Sequence, residues 1–503
     1  MQVYGLWPIV ISLFLNVQIF AQQNIASNAS PASSRLQADA RKASESAKDL
    51  VLRGTLTHAD NQTYRKVPFT VPSGTGRITV ELSYTGKEDG VVLNLGIWDT
   101  ERFRGWGGGK RGPITISETD ATPSYLSGAI PAGTWTLLLG IPYLPENVTA
   151  QYTARVQFDE PPAFSPAVRT GAGWYRGDLH MHDAHSDGTC ESRNGKNVSC
   201  PLFKTLESAA ARGLDFVAIT DHNTISQYND LRELAPYFDN MLLMHGREIT
   251  TYQGHANVYG TDRFIDFRIG SPEVANMNAL LRQVRDAKAI ISINHPAHQS
   301  GHHCLGCGWT PPDFDPGLIQ AVEVVNGGNP AGIPFWQQLL NRGFHIAGIG
   351  GSDNHNPIAF PPPGPGSIGY PTTVIYAREL SEDAIIDGIR AGHVFVDLEG
   401  SRDRRLEMTG HSGSATAMMG DALKVRAGEE IPFNVHIAHA VGARLEIIQD
   451  GAVRDDLATS IGSEDESHTF IVRADANHHW IRANVRAADG KLLLIGNPIY
   501  FEF

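Results

Sequence analysis

Short alternations of apolar and polar residues run from Val51 to about Phe158, as in Arg77–Ser83 (RITVELS), Val91–Trp98 and Thr134–Leu139, with Gly, Pro and Asp turns between them. A period of two bounded by turn residues predicts an antiparallel β-sandwich over residues 51–158. The Pro-rich run Asp159–Pro166 (DEPPAFSP) interrupts it and predicts a linker. Beyond the linker the period changes. Strand-like runs at Tyr175–His180, Phe216–Thr220, Met241–His245, Ala256–Tyr259, Ile290–Asn294, Ala321–Val325, His345–Ile349 and Thr373–Ala377 are interleaved with helical patterns. Those patterns fall at Pro201–Arg212, Gln227–Leu234, Pro272–Ala287, Ile333–Arg342 and Glu382–Arg390. The interleaving predicts an α/β region over residues 174–398, either a β/α barrel or a doubly wound sheet. Past Leu398 the helical period is lost. Ile431–Ala438, Arg444–Gln449, Thr469–Arg473 and Trp480–Ala487 predict a C-terminal Ig-like β domain over residues 399–503.

The N-terminus stands apart. Leu6–Phe20 is apolar, too short for a comfortable membrane span, and followed by the small Ala21, so residues 1–21 read as a secretory signal peptide. Met1–Gly5 carries no Lys or Arg, which keeps an uncleaved N-terminal anchor as the alternative. Residues 22–50 are rich in Ala, Ser, Asn and Gln and predict a linker. The pattern contains no internal transmembrane span, and the expected location is exported, periplasmic or secreted. A chain of 503 residues suggests about three domains. With 41% hydrophobic and 19% charged residues, global disorder and coiled coil are excluded. A formal net charge of −13 offers no basic field for bulk nucleic-acid binding. The 20 histidines are the outlier, because imidazole is the commonest metal ligand.

In a β/α barrel, chemistry collects at the carboxyl ends of the strands. The first run leads into GDLHMHDAHSDG with His180, His182, His185 and Asp187, the second into TDHN with Asp221 and His222, and the third into GREIT with Glu248. The fourth opens with His255 (GHANVYG), the fifth ends in NHPAH with His295 and His298, and the seventh ends in GGSDNH with Asp353 and His355. Nitrogen and carboxylate donors at strand end after strand end predict convergence on two or three divalent metal ions. A lone histidine capping a loop would need no metal; the repetition is what points to one. His185 and His298 adjoin better placed ligands, and both are candidates for proton transfer to a leaving group. On the strand Ala321–Asn326, alternation puts Glu323 and Asn326 on opposite faces, so at least one of them is expected to be structural. Arg247 is expected to be exposed or to brace the sheet rather than to meet an anionic substrate.

In this order the segments GDLHMHDAHSDG, AITDHN, GREIT, NHPAH and GGSDNH resemble the successive motifs of the polymerase and histidinol phosphatase (PHP) family of metallohydrolases. The signal peptide, ERFRGWGGG and AVEVVNG resemble its carbaryl-hydrolase-like (CehA/McbA) branch. The resemblance implies a distorted (β/α)7 barrel, here flanked by two β-sandwich domains, binding two or three Zn, Mn or Fe ions. Carried over residue by residue, His180, His182 and Asp353 would hold one ion. Glu248 would bridge to a second, completed by His295 and His255, and Asp187, His222 and His355 would hold a third. Some family members have His where this chain has Asp187.

The implied activity is an exported metal-dependent hydrolase, first of all a phosphoesterase acting on a small-molecule or phosphoester substrate. A carbamate, ester or amide hydrolase using the same metals is the alternative, toward which the apolar Trp309–Phe314 (WTPPDF) and Phe360–Pro365 lean. A third reading is an inactive scaffold between glycan- or protein-binding β domains. The pattern carries no signal of oligomeric state. Four cysteines lie in two loops after metal-bearing strands, and in an exported chain an even count favours bridges Cys190–Cys200 and Cys304–Cys307. The string HHCLGC also permits a structural zinc site of His302, His303, Cys304 and Cys307.

Overall fold

The computed structural model describes residues 49–108, 112–159, 167–302, 304–359, 364–475 and 477–503. The expected signal peptide, the linker up to residue 48, the run 160–166 and residues 303 and 360–363 lie outside the described residues. The alternating runs before residue 160 pair as two four-stranded antiparallel sheets. One orders Leu50–Leu56, Ala150–Asp159, Arg77–Tyr84 and Ile114–Ser117; the other orders Thr63–Val71, Gly133–Tyr143, Val92–Trp98 and Phe103–Trp106. Their inward residues, among them Leu56, Val80, Trp135, Leu137, Leu139 and Val156, are fully buried in one core.

From Arg169 onward the chain builds one long sheet with helices. Its strands are β1 (Arg169–Asp178), β2 (Phe216–Ile219), β3 (Leu242–Thr251), β4 (Gly254–Tyr259), β5 (Ile290–Ile293), β6 (Ala321–Asn326), β7 (Ala347–Gly351), β8 (Thr372–Leu380) and β9 (Val394–Asp397). Their order is β7-β6-β5-β4-β3-β2-β1-β8-β9. The α-helices among the described residues are α1 (Leu202–Arg212), α2 (Tyr228–Leu234), α3 (Met277–Asp286), α4 (Ile333–Asn341) and α5 (Glu382–Ala391), each within one of the helical patterns read from the sequence or a residue beyond it. Apolar spacing makes them: in α1, Leu202, Leu206 and Ala209 share one buried face. Asn276 and Ser381 cap α3 and α5 by accepting the N–H groups of Ala279 and Ala384, and Gly213 and Gly392 end α1 and α5 in the left-handed conformation.

The chain is thus mixed α/β and rich in strands, and the regular sevenfold alternation is only partly present. Strands β1-β2-β3 and β5-β6-β7 run parallel, whereas β3-β4 and β4-β5 are antiparallel. Only Tyr252 and Gln253 separate β3 from β4, too few for a crossover helix, so that pair is a hairpin. The segments that follow β7 and β1 exchange hydrogen bonds, Asp353 N–H to the His180 carbonyl at 2.8 Å and His182 N–H to the Asn354 carbonyl at 2.9 Å. At its other end the sheet runs past Leu398, because β9 pairs with Leu492–Gly496, then Trp480–Arg486, then Arg444–Gln449. Ile447, Ile481 and Leu494 of that extension share a core with Leu406, Val435 and Ile437 of a separate C-terminal sheet. Residues Asp49–Phe503 form one compact unit. No helix among the described residues is long and apolar enough to cross a membrane.

Candidate metal centre

Most candidate donors follow the end of an apolar strand, while Glu248 lies within β3 and His255 near the start of β4. β1 ends at Asp178, a fully buried carboxylate that accepts the N–H groups of His180 (3.2 Å), Ser352 (3.0 Å) and Gly369 (2.8 Å) and so fixes the segment presenting His180 and His182. His295 after β5 and Asp353 after β7 have φ of 27° and 53°, a left-handed backbone that costs about 1–2 kcal/mol outside glycine and marks a constrained site. Gly351 must be small: a Cβ there would collide with the Glu323 carboxylate and with His180.

Glu248, on β3, is the hub. Its Oε1 lies 3.5 Å from His180 Nε2 and 3.4 Å from both His255 Nδ1 and His295 Nε2. Its Oε2 lies 3.5 Å from His182 Nε2 and 2.9 Å from His222 Nδ1. Asp353 Oδ1 is 3.2 Å from His180 Nε2 and 3.3 Å from His182 Nε2. Donors about 2.0–2.1 Å from one tetrahedral cation are roughly 3.3 Å apart, wider than most hydrogen bonds. Most of the inner distances have that spacing. Moreover the Nε2 atoms of His180 and His182, on fully buried rings, have no hydrogen-bond partner, which is unusual for buried polar atoms. The donor set fits a divalent cation.

An outer group lies beside it. Asp187 Oδ1 is 3.5 Å from His222 Nε2 and 3.4 Å from His355 Nε2. The side chains of Asp187, His222 and His355 are 57%, 27% and 38% exposed, against 0%, 0% and 1% for His180, His182 and Glu248. The electrostatics ask for positive charge. Burial opposes ionisation of Glu248, but the imidazoles around it, His180 foremost, hold its carboxyl well below the usual range. Burial also opposes charge on His222 and His295, yet hydrogen bonds to Asp187 and Glu248 raise His222 to about 10, and Glu248 with Asp353 raises His295 to about 9. On His182 burial prevails and lowers the ring to about 4.

A second layer orients these donors. Glu323 Oε1 is 2.7 Å from His180 Nδ1, and Oε2 accepts the His295 N–H at 3.0 Å. Asn326 Nδ2 donates to Glu323 Oε2 (3.1 Å) and to Asp353 Oδ2 (3.2 Å). Both side chains therefore face the site, contrary to simple alternation, because a bulge between Glu323 and Val325 adds a residue to β6 and resets the faces. Asn294 Nδ2 donates to Glu248 Oε1 at 2.8 Å. The outer nitrogens of two rings meet backbone carbonyls, His255 Nε2 at Leu305 (2.9 Å) and His295 Nδ1 at Cys307 (3.1 Å).

A cavity of about 470 Å³ opens here, lined by Asp187, His222, Glu248, Thr250, His255, His295, His298, His302, Leu305, Asp353, His355 and the Cys304–Cys307 pair. Of the two candidates for proton transfer, the structure brings only His298 to the cavity, where it stacks on His295 and is lowered by burial and by the His295 charge. His185 instead pairs with Asp183 (2.7 Å) and Asp230 (3.5 Å) and does not line the cavity. Trp309 and Phe314 do not form cavity walls either: they pack edge to face in the core, with Trp309 over Gly254. Arg247 is buried and braces the Thr261 and Arg263 carbonyls. Cys190 pairs with Cys200 and Cys304 with Cys307, which leaves no thiolate for a structural zinc at HHCLGC. Asn294 and Asp178 are the supporting residues that the sequence reading missed. Their signal was adjacency, one residue before His295 and two before His180.

No family model and no curated protein matches the chain. Several solved structures resemble it, two of them as follows. A two-domain protein from Bacteroides vulgatus, described as containing a predicted PHP-like metal-dependent phosphoesterase, is 17% identical over 68% of this chain and 98% of its own, with a TM-score of 0.35. A Bifidobacterium adolescentis protein assigned as a metal-dependent phosphoesterase is 15% identical over 42% of this chain and 94% of its own, with a TM-score of 0.28. The roles of individual residues rest on the geometry above rather than on these likenesses.

Proposed function

We propose that the chain is an exported metal-dependent hydrolase of the PHP type, with a phosphoester as its first substrate class. The observation that carries this reading is the Glu248 carboxylate ringed by five imidazoles at 2.9–3.5 Å. In this reading His180, His182 and Asp353 would hold one ion, Glu248 with His255 and His295 would hold a second, and Asp187, His222 and His355 would hold a third. Zn, Mn or Fe suits such donors. When bound, these ions lower the pKa of water and neutralise charge developing on the scissile group. The chain's own work is positional. Glu323, Asn294, Asn326 and the carbonyls of Leu305 and Cys307 hold rings and carboxylates in place before substrate arrives. His298, neutral on the cavity wall, takes a proton at a ring nitrogen and returns it to the leaving group. A distorted barrel with flanking sandwiches belongs to the same reading, supported by the hydrogen bonds that join the segments after β7 and β1. Export rests on Leu6–Phe20 and Ala21.

One observation favours a second reading. Among the described residues lining the cavity there is no Lys or Arg, and Leu305 is present, so a carbamate, ester or amide fits without cationic side chains. The test is a panel of phosphomonoester, phosphodiester, carboxyl ester and carbamate substrates offered to protein loaded separately with Mn and Zn. Metal-dependent turnover of phosphoesters supports the first reading; turnover confined to carbamates or esters replaces it with the second. Loss of neither substrate class on chelation would contradict both.

A further inference from the structure

The segments that carry His182 and His222 have a second set of donors on their reverse side. His182 and His222 face Glu248, while their neighbours Asp183 and Asp221 do not line the cavity. Asp183 and Asp221 are fully buried. One oxygen of each is used: Asp183 Oδ1 accepts the His185 N–H at 2.8 Å and lies 2.7 Å from His185 Nδ1, and Asp221 Oδ1 accepts the Asp183 N–H at 3.1 Å and the Ser186 hydroxyl at 2.5 Å. The other oxygen of each, Oδ2, is buried and has no hydrogen-bond partner. A buried carboxylate oxygen is not left bare in a stable interior; it is matched by a donor, a proton or a cation. One donor atom from each of Asp183, Asp221 and His185 lies within 4.8 Å of the other two. The remaining charged group at the site, Asp230 on α2, adds negative charge 3.5 Å from His185 Nε2.

We propose that Asp183, Asp221 and His185 form a further divalent-cation site outside the cavity, which ties the loop after β1 to the end of β2. Two carboxylates and one imidazole suit an oxygen-preferring ion such as Mn2+, with water completing its shell. His185 is partly exposed and gives the ion its route in. The site would hold the chain segments bearing His182 and His222 from behind, without touching substrate. It does not depend on what the cavity catalyses.

The test counts Mn2+ bound to the full chain, stripped of metal and titrated while free Mn2+ is followed by electron paramagnetic resonance. His185→Gln and Asp183→Asn should each bind one Mn2+ fewer than the unmodified protein and should lose part of the rise in melting temperature that Mn2+ confers. His182→Ala, on the cavity side, should retain that site. Should Asp183→Asn fail to fold, His185→Gln carries the test alone, since its side chain reaches the surface. An unchanged Mn2+ count in His185→Gln would overturn the proposal and leave a proton shared by the two carboxylates as what matches their oxygens. If instead the cavity binds no metal, His182→Ala leaves the count unchanged while His185→Gln still lowers it by one, which separates this proposal from the hydrolase reading.

Discussion

The inner and outer halves of the cavity use the same residue types under opposite conditions. In the inner half, His180, His182 and Glu248 are sealed from solvent and His180, His295 and Asp353 are each backed by Glu323 or Asn326. In the outer half, Asp187 is more than half exposed, and only the rings have firm backing, His222 from Thr250 Oγ1 at 2.6 Å and His355 from the Asp353 carbonyl at 2.8 Å. Water can replace an exposed carboxylate at little cost, whereas the fully buried His180 and His182 rings have no solvent to take the place of an ion. The difference teaches that burial and backing, not donor type, set how tightly each half should hold an ion.

Glu248→Gln should break the comparison altogether, because Glu248 touches His222 of the outer half as well as the inner rings. It should empty the cavity of metal, so that elemental analysis finds at most the one ion behind it at Asp183, Asp221 and His185, and should leave no turnover above background. Glu323→Gln should spare the outer half and weaken inner metal affinity by about 10–100-fold, the usual cost of losing a partner that orients a ligand, as measured by competition with a chelator. Opening Cys304–Cys307 by replacing both residues with Ser should act on the same half by about 10-fold, since the loop's carbonyls orient His255 and His295. Opening Cys190–Cys200 should act instead on the outer half, where the Thr189 N–H holds the His355 carbonyl at 2.7 Å.

The charge on the rings gives a test of sign. With His222 raised to about 10 and His295 to about 9, the metal-free protein carries protons on them at pH 7, and a ligand ring must lose its proton. Metal uptake should therefore release protons into unbuffered solution, and apparent affinity should rise as pH rises toward those values. Smallest of all should be Asp187→Asn. Turnover should fall more than metal content, with excess Mn or Zn restoring part of it; near-normal turnover without added metal would remove the outer half from the mechanism.

Much of the site was legible because its donors abut strand ends in sequence, which topology then brings together: Glu248, His295 and Asp353 lie far apart in the chain yet within 4.0 Å contacts of shared partners. What stayed hidden depends on backbone detail. A bulge in β6 leaves no mark on the Ala321–Asn326 pattern, so Glu323 and Asn326 could not be placed on one face. The carbonyls of Leu305 and Cys307 have no side-chain signature at all. Likewise the apolar runs of β3 and β4 look like strands of any connection, and only the two residues between them reveal the hairpin. The change of period after Leu398 carries no sign that β9 pairs with the C-terminal strand Leu492–Gly496.

The most direct measurement is an anomalous difference map from crystals of the protein grown with Mn2+. A metal centre built on Glu248 predicts peaks within coordination distance of His180, His182, Glu248 and Asp353, with a weaker peak at Asp187, His222 and His355. A map with full occupancy elsewhere and none at Glu248 would contradict it.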